Sequence, residues 1–233
     1  MTDSTDLEYQ AAKRIKKGLQ TIDPRSAPLA AWISEEYGIS VLNIQKDFMT
    51  HNKKLRLLIC VDSSVDQAVF IKGEHRWEGF DAAKQAQVAD KYIELAAKQK
   101  AVINLQFWSF FSRMPDSRDI FVAFSCFEES ALMEANESIP QERLVDLETM
   151  FKDDRIWLIS RCFSSTTLFV FTDAQKEALK DEAVFKSIEK RYLELLREYD
   201  EFGYWEKGIF GLGIDSKQNL DENYQGNWFY YYK

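Results

Sequence analysis

Histidine is nearly missing from this chain: there are two among 233 residues. Imidazole is the side chain best suited to moving protons near neutral pH, so its scarcity narrows the catalytic options. Proline (4) and glycine (9) are also sparse, which excludes collagen-like and low-complexity chains and leaves no flexible linker. Cysteine is rare and odd in number. Cys60, Cys126 and Cys162 are widely spaced, each inside an apolar, strand-like segment, whereas a disulfide framework favours an even count. They are expected as small buried hydrophobes in a reducing cytoplasm. The sharper alternative is a three-thiolate metal site on the similar strings Ile59-Cys60-Val61-Asp62, Ser125-Cys126-Phe127-Glu128 and Arg161-Cys162-Phe163-Ser164. It lacks the fourth ligand and the closely spaced pairs of a structural zinc centre.

Long apolar runs are absent too. No window reaches the roughly 18 apolar residues of a membrane span. Met1-Thr2-Asp3-Ser4-Thr5-Asp6 is polar and acidic where a secretory signal has a basic start and an apolar stretch. The expectation is a cytoplasmic protein with no membrane partner. Positive charge is the remaining shortage: 30 Lys+Arg against 38 Asp+Glu give a net charge of -8. That balance counts against nucleic acid and anionic membranes as partners, since both present phosphates. What the chain does have is core material, 45% hydrophobic and 14% aromatic, which excludes disorder.

Hydrophobic spacing predicts an α+β fold. Residues 1–38 are a helical N-terminal part. A capping box, Thr5-Asp6-Leu7-Glu8, precedes Leu7, Ala11, Ile15 and Leu19 at helical spacing, and a second helix runs from Leu29 to Tyr37. Residues 39–202 are a core of hairpins and helices. Period-two alternation marks a hairpin over 42–61, a strand pair over 102–112 and 119–127, and a third pair over 155–163 and 166–172. Helices are expected over 64–71, 81–98, 128–135, 141–151 and 172–202. Residues 203–233 form a Gly/aromatic tail ending in a strand at Trp228–Tyr232. The architecture expected is a mixed, largely antiparallel sheet with helices mainly on one face, and residues 53–163 follow a partly ferredoxin-like order. A single domain over 1–233 is the expectation.

Sorting strand residues by alternation gives one uniformly apolar face (Leu55, Leu57, Ile59, Val61, Ile120, Val122 and Phe124 among others) and one mixed face. The mixed face holds Asn43, Gln45, Asp47, Arg56, Cys60, Asp62, Asn104, Gln106, Trp108, Phe121, Ser125, Arg155, Trp157 and Arg161. Left open, it is a recognition surface, because Trp and Arg dominate binding hot spots. The alternative is that the N-terminal helices or the C-terminal tail cover it. The loop 72–79 adds His75, between Glu74 and Arg76, and Trp77.

Motifs for catalysis fail their tests. There is no Gly-x-Ser-x-Gly, and 208–213 lacks the Gly-Lys-Ser/Thr of a phosphate loop. It is expected as a bent segment packing Phe210 and Leu212. The 215–223 stretch alternates oxygen side chains, yet has Lys217 and Leu220 where a calcium loop needs an oxygen ligand and a glycine, so a turn-rich surface loop is expected. No cofactor is implied. These features favour a non-enzymatic cytoplasmic protein-binding module, an inhibitor or immunity-type protein masking a protein partner. Its candidate binding residues are Arg56, His75, Trp77, Asn104, Gln106, Trp108, Trp157 and Arg161. The alternative is a small-molecule binder or enzyme using a pocket between the sheet face and the 72–79 loop, with Asn104, Arg161 and His75 as polar groups. A homo-oligomer is a third reading.

Overall fold

In strand β2 (Leu55–Val61) every second side chain, Leu55, Leu57, Ile59 and Val61, is buried. One face of the strand is therefore buried, and its hydrogen bonding places it between two others. The computed structural model describes residues 6–50, 53–73, 78–102, 116–151, 154–207 and 210–233. Strand β1 (Val41–Phe48) pairs antiparallel with β2, and β3 (Ile120–Cys126) pairs parallel on its other side. A parallel neighbour needs a long crossover, supplied by the segment that contains α3 (Ser64–Ala68) and α4 (Ala82–Val102). The strand expected at 102–112 falls on residues outside the described ones, apart from Val102, which ends α4.

The chain forms two compact units, Met1–Ser130 and Ala131–Lys233. In the first, the apolar sheet face packs on Leu29, Ala30 and Ile33 of α2 (Ala27–Tyr37) and on Val88 and Ala89 of α4. Phe70 and Phe124 stack within this core at 3.7 Å. Helix α1 (Leu7–Lys16) packs on β1. Its inward side differs from the expected stripe: Glu8, Tyr9 and Ala12 are buried, while Leu7 is 82% and Leu19 72% exposed. Tyr9 stacking on Phe127 at 5.1 Å fixes that rotation, and Ala12 lets the helix approach closely.

Helix α5 (Phe127–Ser138) leads into the second unit, where β4 (Ile156–Cys162) and β5 (Ser165–Val170) form the expected hairpin. A third strand, β6 (Gly213–Ser216), pairs parallel with β5. A Cβ at Gly213 would lie 2.9 Å from Thr167 Oγ1, so only glycine allows this approach. The mixed expectation therefore holds, with the strands shared between two three-stranded sheets. The core contains Leu144 and Leu147 of α6 (Gln141–Phe151) and Ile188, Tyr192 and Leu196 of α8 (Ala183–Tyr199), with Leu212 beside Phe210, as expected of that bent segment.

Three expectations in this unit are corrected. The helix expected over 172–202 is two, α7 (Asp173–Leu179) and α8, because Glu182 takes an extended conformation and accepts two hydrogen bonds of 2.8 Å from Arg155. The loop expected at 215–223 is the end of β6 and helix α10 (Lys217–Tyr224), capped by Ser216 Oγ. The strand expected at 228–232 is a short helix, α11 (Trp228–Tyr231), because Asn227 Oδ1 accepts from the backbone N–H groups of Phe229 and Tyr230. A run of five aromatic residues carries no alternation with which to oppose that cap.

Candidate functional site

The second face of the N-terminal sheet is built in rows. Register places Asn43, Cys60 and Ser125 abreast, then Gln45, Leu58 and Ala123, then Asp47, Arg56 and Phe121. Burial falls along the rows. Asn43 and Cys60 are buried beside α1, whereas Asp47 and Phe121 are exposed. So α1 covers one end of this face, and the other end lies open among the described residues.

A cleft of about 630 Å³ follows this gradient. It runs from Asp6, Leu7 and Glu8 at the start of α1, over Gln45, Asp47, Arg56 and Leu58, to Ile71 and Phe80. Ile71 and Phe80 form a β-bridge at the base of the 72–79 loop. The carboxyl groups of Asp6, Glu8, Asp47 and Glu129 line the cleft with one guanidinium, that of Arg56. Arg56 is bound to Asp47: Nε donates to Oδ1 at 2.8 Å and Nη2 to Oδ2. That hydrogen-bonded pair holds the Asp47 carboxyl below the usual carboxylate range and the guanidinium above its own.

Glu8 is the unusual group. It is only 3% exposed, and its Oε1 accepts a hydrogen bond from Ser125 Oγ. Burial raises its pKa, the Ser125 hydrogen bond opposes that rise, and the nearby Asp6 carboxylate adds to it. Cys60, beneath it, is pushed up by burial first and by the Glu8 charge second, which keeps it a thiol. No sequence signal marked Glu8 as more than the last residue of a capping box. The cap is in fact Asp6, whose Oδ1 accepts from the Glu8 N–H at 2.9 Å.

The C-terminal unit holds two of the expected binding residues, both engaged internally. Trp157 stacks on Trp228 at 6.0 Å, meets Phe169 edge-on, and lies under the Lys217 ammonium. Tyr232 Oη donates to Ser160 Oγ at 2.7 Å, so the C-terminal tail lies over this part of the second sheet. Arg161 Nη1 donates to the carbonyls of Asn136 and Ile139 at 2.6 and 2.8 Å, closing the end of α5. Arg56 and the Trp157/Arg161 pair therefore lie on different sheets. His75, Trp77, Asn104, Gln106 and Trp108 lie outside the described residues, as does His51.

Two polar networks organise this second unit. Asn136, fully buried, donates Nδ2 to the Phe163 carbonyl at 2.8 Å, while its Oδ1 accepts from Tyr192 Oη at 2.7 Å and Thr166 Oγ1 at 3.3 Å. Asp215 accepts from Tyr231 Oη at 2.7 Å, Asn219 Nδ2 at 2.8 Å and Lys176 Nζ at 3.3 Å. The hydrogen bonds to Asp215 draw its pKa down against burial, and burial with that bond pushes the Tyr231 phenol up. All three cysteines are free thiols, and among the described residues no three His, Cys, Asp or Glu side chains come together to hold a metal ion. No described helix is long and apolar enough to cross a membrane.

No protein-family model matches the chain, and comparison with curated proteins and with solved structures found no match.

Proposed function

We propose that this chain is a non-enzymatic cytoplasmic binding protein that engages a basic segment of a protein partner, as an inhibitor or immunity-type protein does when it masks its target. The cleft on the N-terminal sheet carries this reading. It gathers carboxyl groups around one guanidinium that is already paired, on a chain of net charge -8. Such a surface speeds encounter with a cationic partner and penalises an anionic one. Leu58, Ile71 and Phe80 supply apolar lining for the stem of a lysine or arginine.

Affinity capture with the native genomic neighbours co-expressed tests it, comparing the wild type with Asp6→Lys/Glu129→Lys. The expected result is a partner retained by the wild type, absent from the variant, and released by salt near 1 M, where the Debye length is about 3 Å. Equal retention by both proteins ends this reading.

A small-molecule binder or enzyme is the second reading, favoured by the cleft volume, which falls within the roughly 300–1,000 Å³ of ligand sites. A ligand-dependent rise in melting temperature without any captured protein supports it.

A further inference from the structure

Residues 227–233 are attached to the second sheet by side chains. Past α10 the chain turns back through two consecutive left-handed residues, Gln225 at φ 55° and Gly226 at φ 69°. Trp228 then stacks on Trp157 of β4 and meets Phe169 of β5 edge-on at 5.1 Å, and Tyr231 meets Phe169 at 5.3 Å. Tyr231 Oη donates to Asp215 and Tyr232 Oη to Ser160. The backbone bonds of this strap are local. The N–H groups of Phe229 and Tyr230 go to Asn227 Oδ1, and those of Tyr231 and Tyr232 to the carbonyls of Asn227 and Trp228. Among the described residues no backbone hydrogen bond joins 228–233 to a strand. No residue of α11 is buried, whereas Phe169 beneath it is fully buried. Lifting the strap leaves a finished face. Asp215 keeps Asn219 Nδ2, Lys176 Nζ and the Ser216 N–H, so the loss of Tyr231 strands no charge. What opens is an aromatic slot of Trp157 and Phe169, with the Lys217 ammonium 5.3 Å from the Trp157 ring.

We propose that the 227–233 strap exchanges between two copies of this chain, each strap swinging about Gln225–Gly226 to seat on the Trp157–Phe169 face of the other copy. The occupant is complementary by construction, because the exchanged contacts are the ones the strap already makes within its own chain: an indole on Trp157, then phenols three and four residues on that reach Asp215 and Ser160. The balance lies between tethering and the hinge. Closed, the strap sees its own face at an effective concentration of the order of millimolar, as a short connection gives. Opened, Gln225 leaves a left-handed backbone that disfavours a residue with a Cβ by about five- to thirtyfold. The Gly226 N–H bond to the Leu220 carbonyl, 3.0 Å, is lost in opening and offsets part of that gain. A dimer forming over roughly 0.1–1 mM chain follows. This exchange is independent of the acidic cleft on the first sheet.

The test is gel filtration with light scattering on the full chain, equilibrated over roughly 0.01–1 mM, for the wild type and two hinge variants. A Cβ at Gly226 meets nothing nearer than Asp221 Oδ1 at 3.6 Å, so Gly226→Ala perturbs the backbone conformation and not the packing. A hinge change enters once per chain and twice per dimer. Gly226→Ala is therefore expected to tighten the dimer roughly 30-fold, and Gln225→Gly to weaken it by a similar factor. A complementation pair identifies the exchanged element. Trp228→Ala lacks the indole of the strap and Trp157→Ala lacks its platform, so each alone is expected to be monomeric. Mixed, they are expected to form a heterodimer in which an intact strap meets an intact face. Should Trp157→Ala misfold, the hinge variants decide alone. Four results overturn the proposal: a Gly226→Ala chain that stays monomeric at about 1 mM, a dimer whose strength ignores both hinge changes, a dimer undiminished by Trp228→Ala, or no heterodimer from a folded complementation pair.

Discussion

Replacing Asn136 with alanine should loosen the C-terminal unit more than any substitution of an exposed polar residue. Asn136 joins the end of α5 to the β4–β5 turn, where Phe163 sits at φ 56°, and to Tyr192 of α8. Alanine removes the donor to the Phe163 carbonyl and the acceptor that Tyr192 and Thr166 share. Tyr192 and Thr166 keep each other at 3.1 Å, so the loss is not complete. Counting one or two buried groups left without their best partner, at about 1–3 kcal/mol each, gives a cost of about 1–6 kcal/mol. Tyr192→Phe removes only the hydroxyl and leaves Thr166 on Asn136, so it should cost about 1 kcal/mol. Because the two residues share one bond, the double variant should fall short of the sum by about 1 kcal/mol. Amide hydrogen exchange across β4, β5 and α8 reads this unit directly. Additivity within about 0.3 kcal/mol, or a cost for Asn136→Ala below about 1 kcal/mol, refutes the account of this network.

Glu8 gives a pH signature. Its pKa is raised in the fold above the ordinary 4.5, so its contribution to stability is full below that value and is lost as pH rises through the raised one. The stability of wild type relative to Glu8→Gln should therefore fall with rising pH in parallel denaturation series, and a difference independent of pH counts against the burial of this acid. Arg161→Met strands the Asn136 and Ile139 carbonyls and should cost about 1–2 kcal/mol, read as faster exchange at the end of α5. Asn227→Ala removes the cap of α11 and should cost about 1 kcal/mol, read by exchange at 228–232. Under native conditions a thiol reagent should modify half-buried Cys162 about 100-fold faster than buried Cys60 and Cys126, with mass spectrometry assigning the sites.

Much of the N-terminal sheet was legible because β2 alternates without a break. Leu55, Leu57, Ile59 and Val61 had to share a face, which put Arg56 and Cys60 opposite them, and hydrogen-bonded register then brought Asp47, Phe121 and Ser125 alongside. Capping chemistry was equally readable at Thr172, whose hydroxyl accepts from the Gln175 N–H as the motif requires. The break after Leu179 was not, because no glycine or proline marks it. An ion pair from Arg155, far away in sequence, holds Glu182 extended. The rotation of α1 escaped notice for a similar reason. Leu7, Ala11, Ile15 and Leu19 make a regular stripe, but the stacking of Tyr9 on Phe127 and the small Ala12 decide which side faces the sheet. Glu8 was hidden with them, since a glutamate in a first helical turn ordinarily faces water. Tertiary contact, not local pattern, made it a buried acid.

The most direct test of the acidic cleft as a partner's seat is zero-length carboxyl-to-amine crosslinking of the captured complex, mapped by mass spectrometry. The account predicts links from Asp6, Asp47 or Glu129 to lysines of the partner, suppressed by high salt before crosslinking. Links confined to carboxylates elsewhere, such as Asp221 and Glu222 on α10, would contradict it.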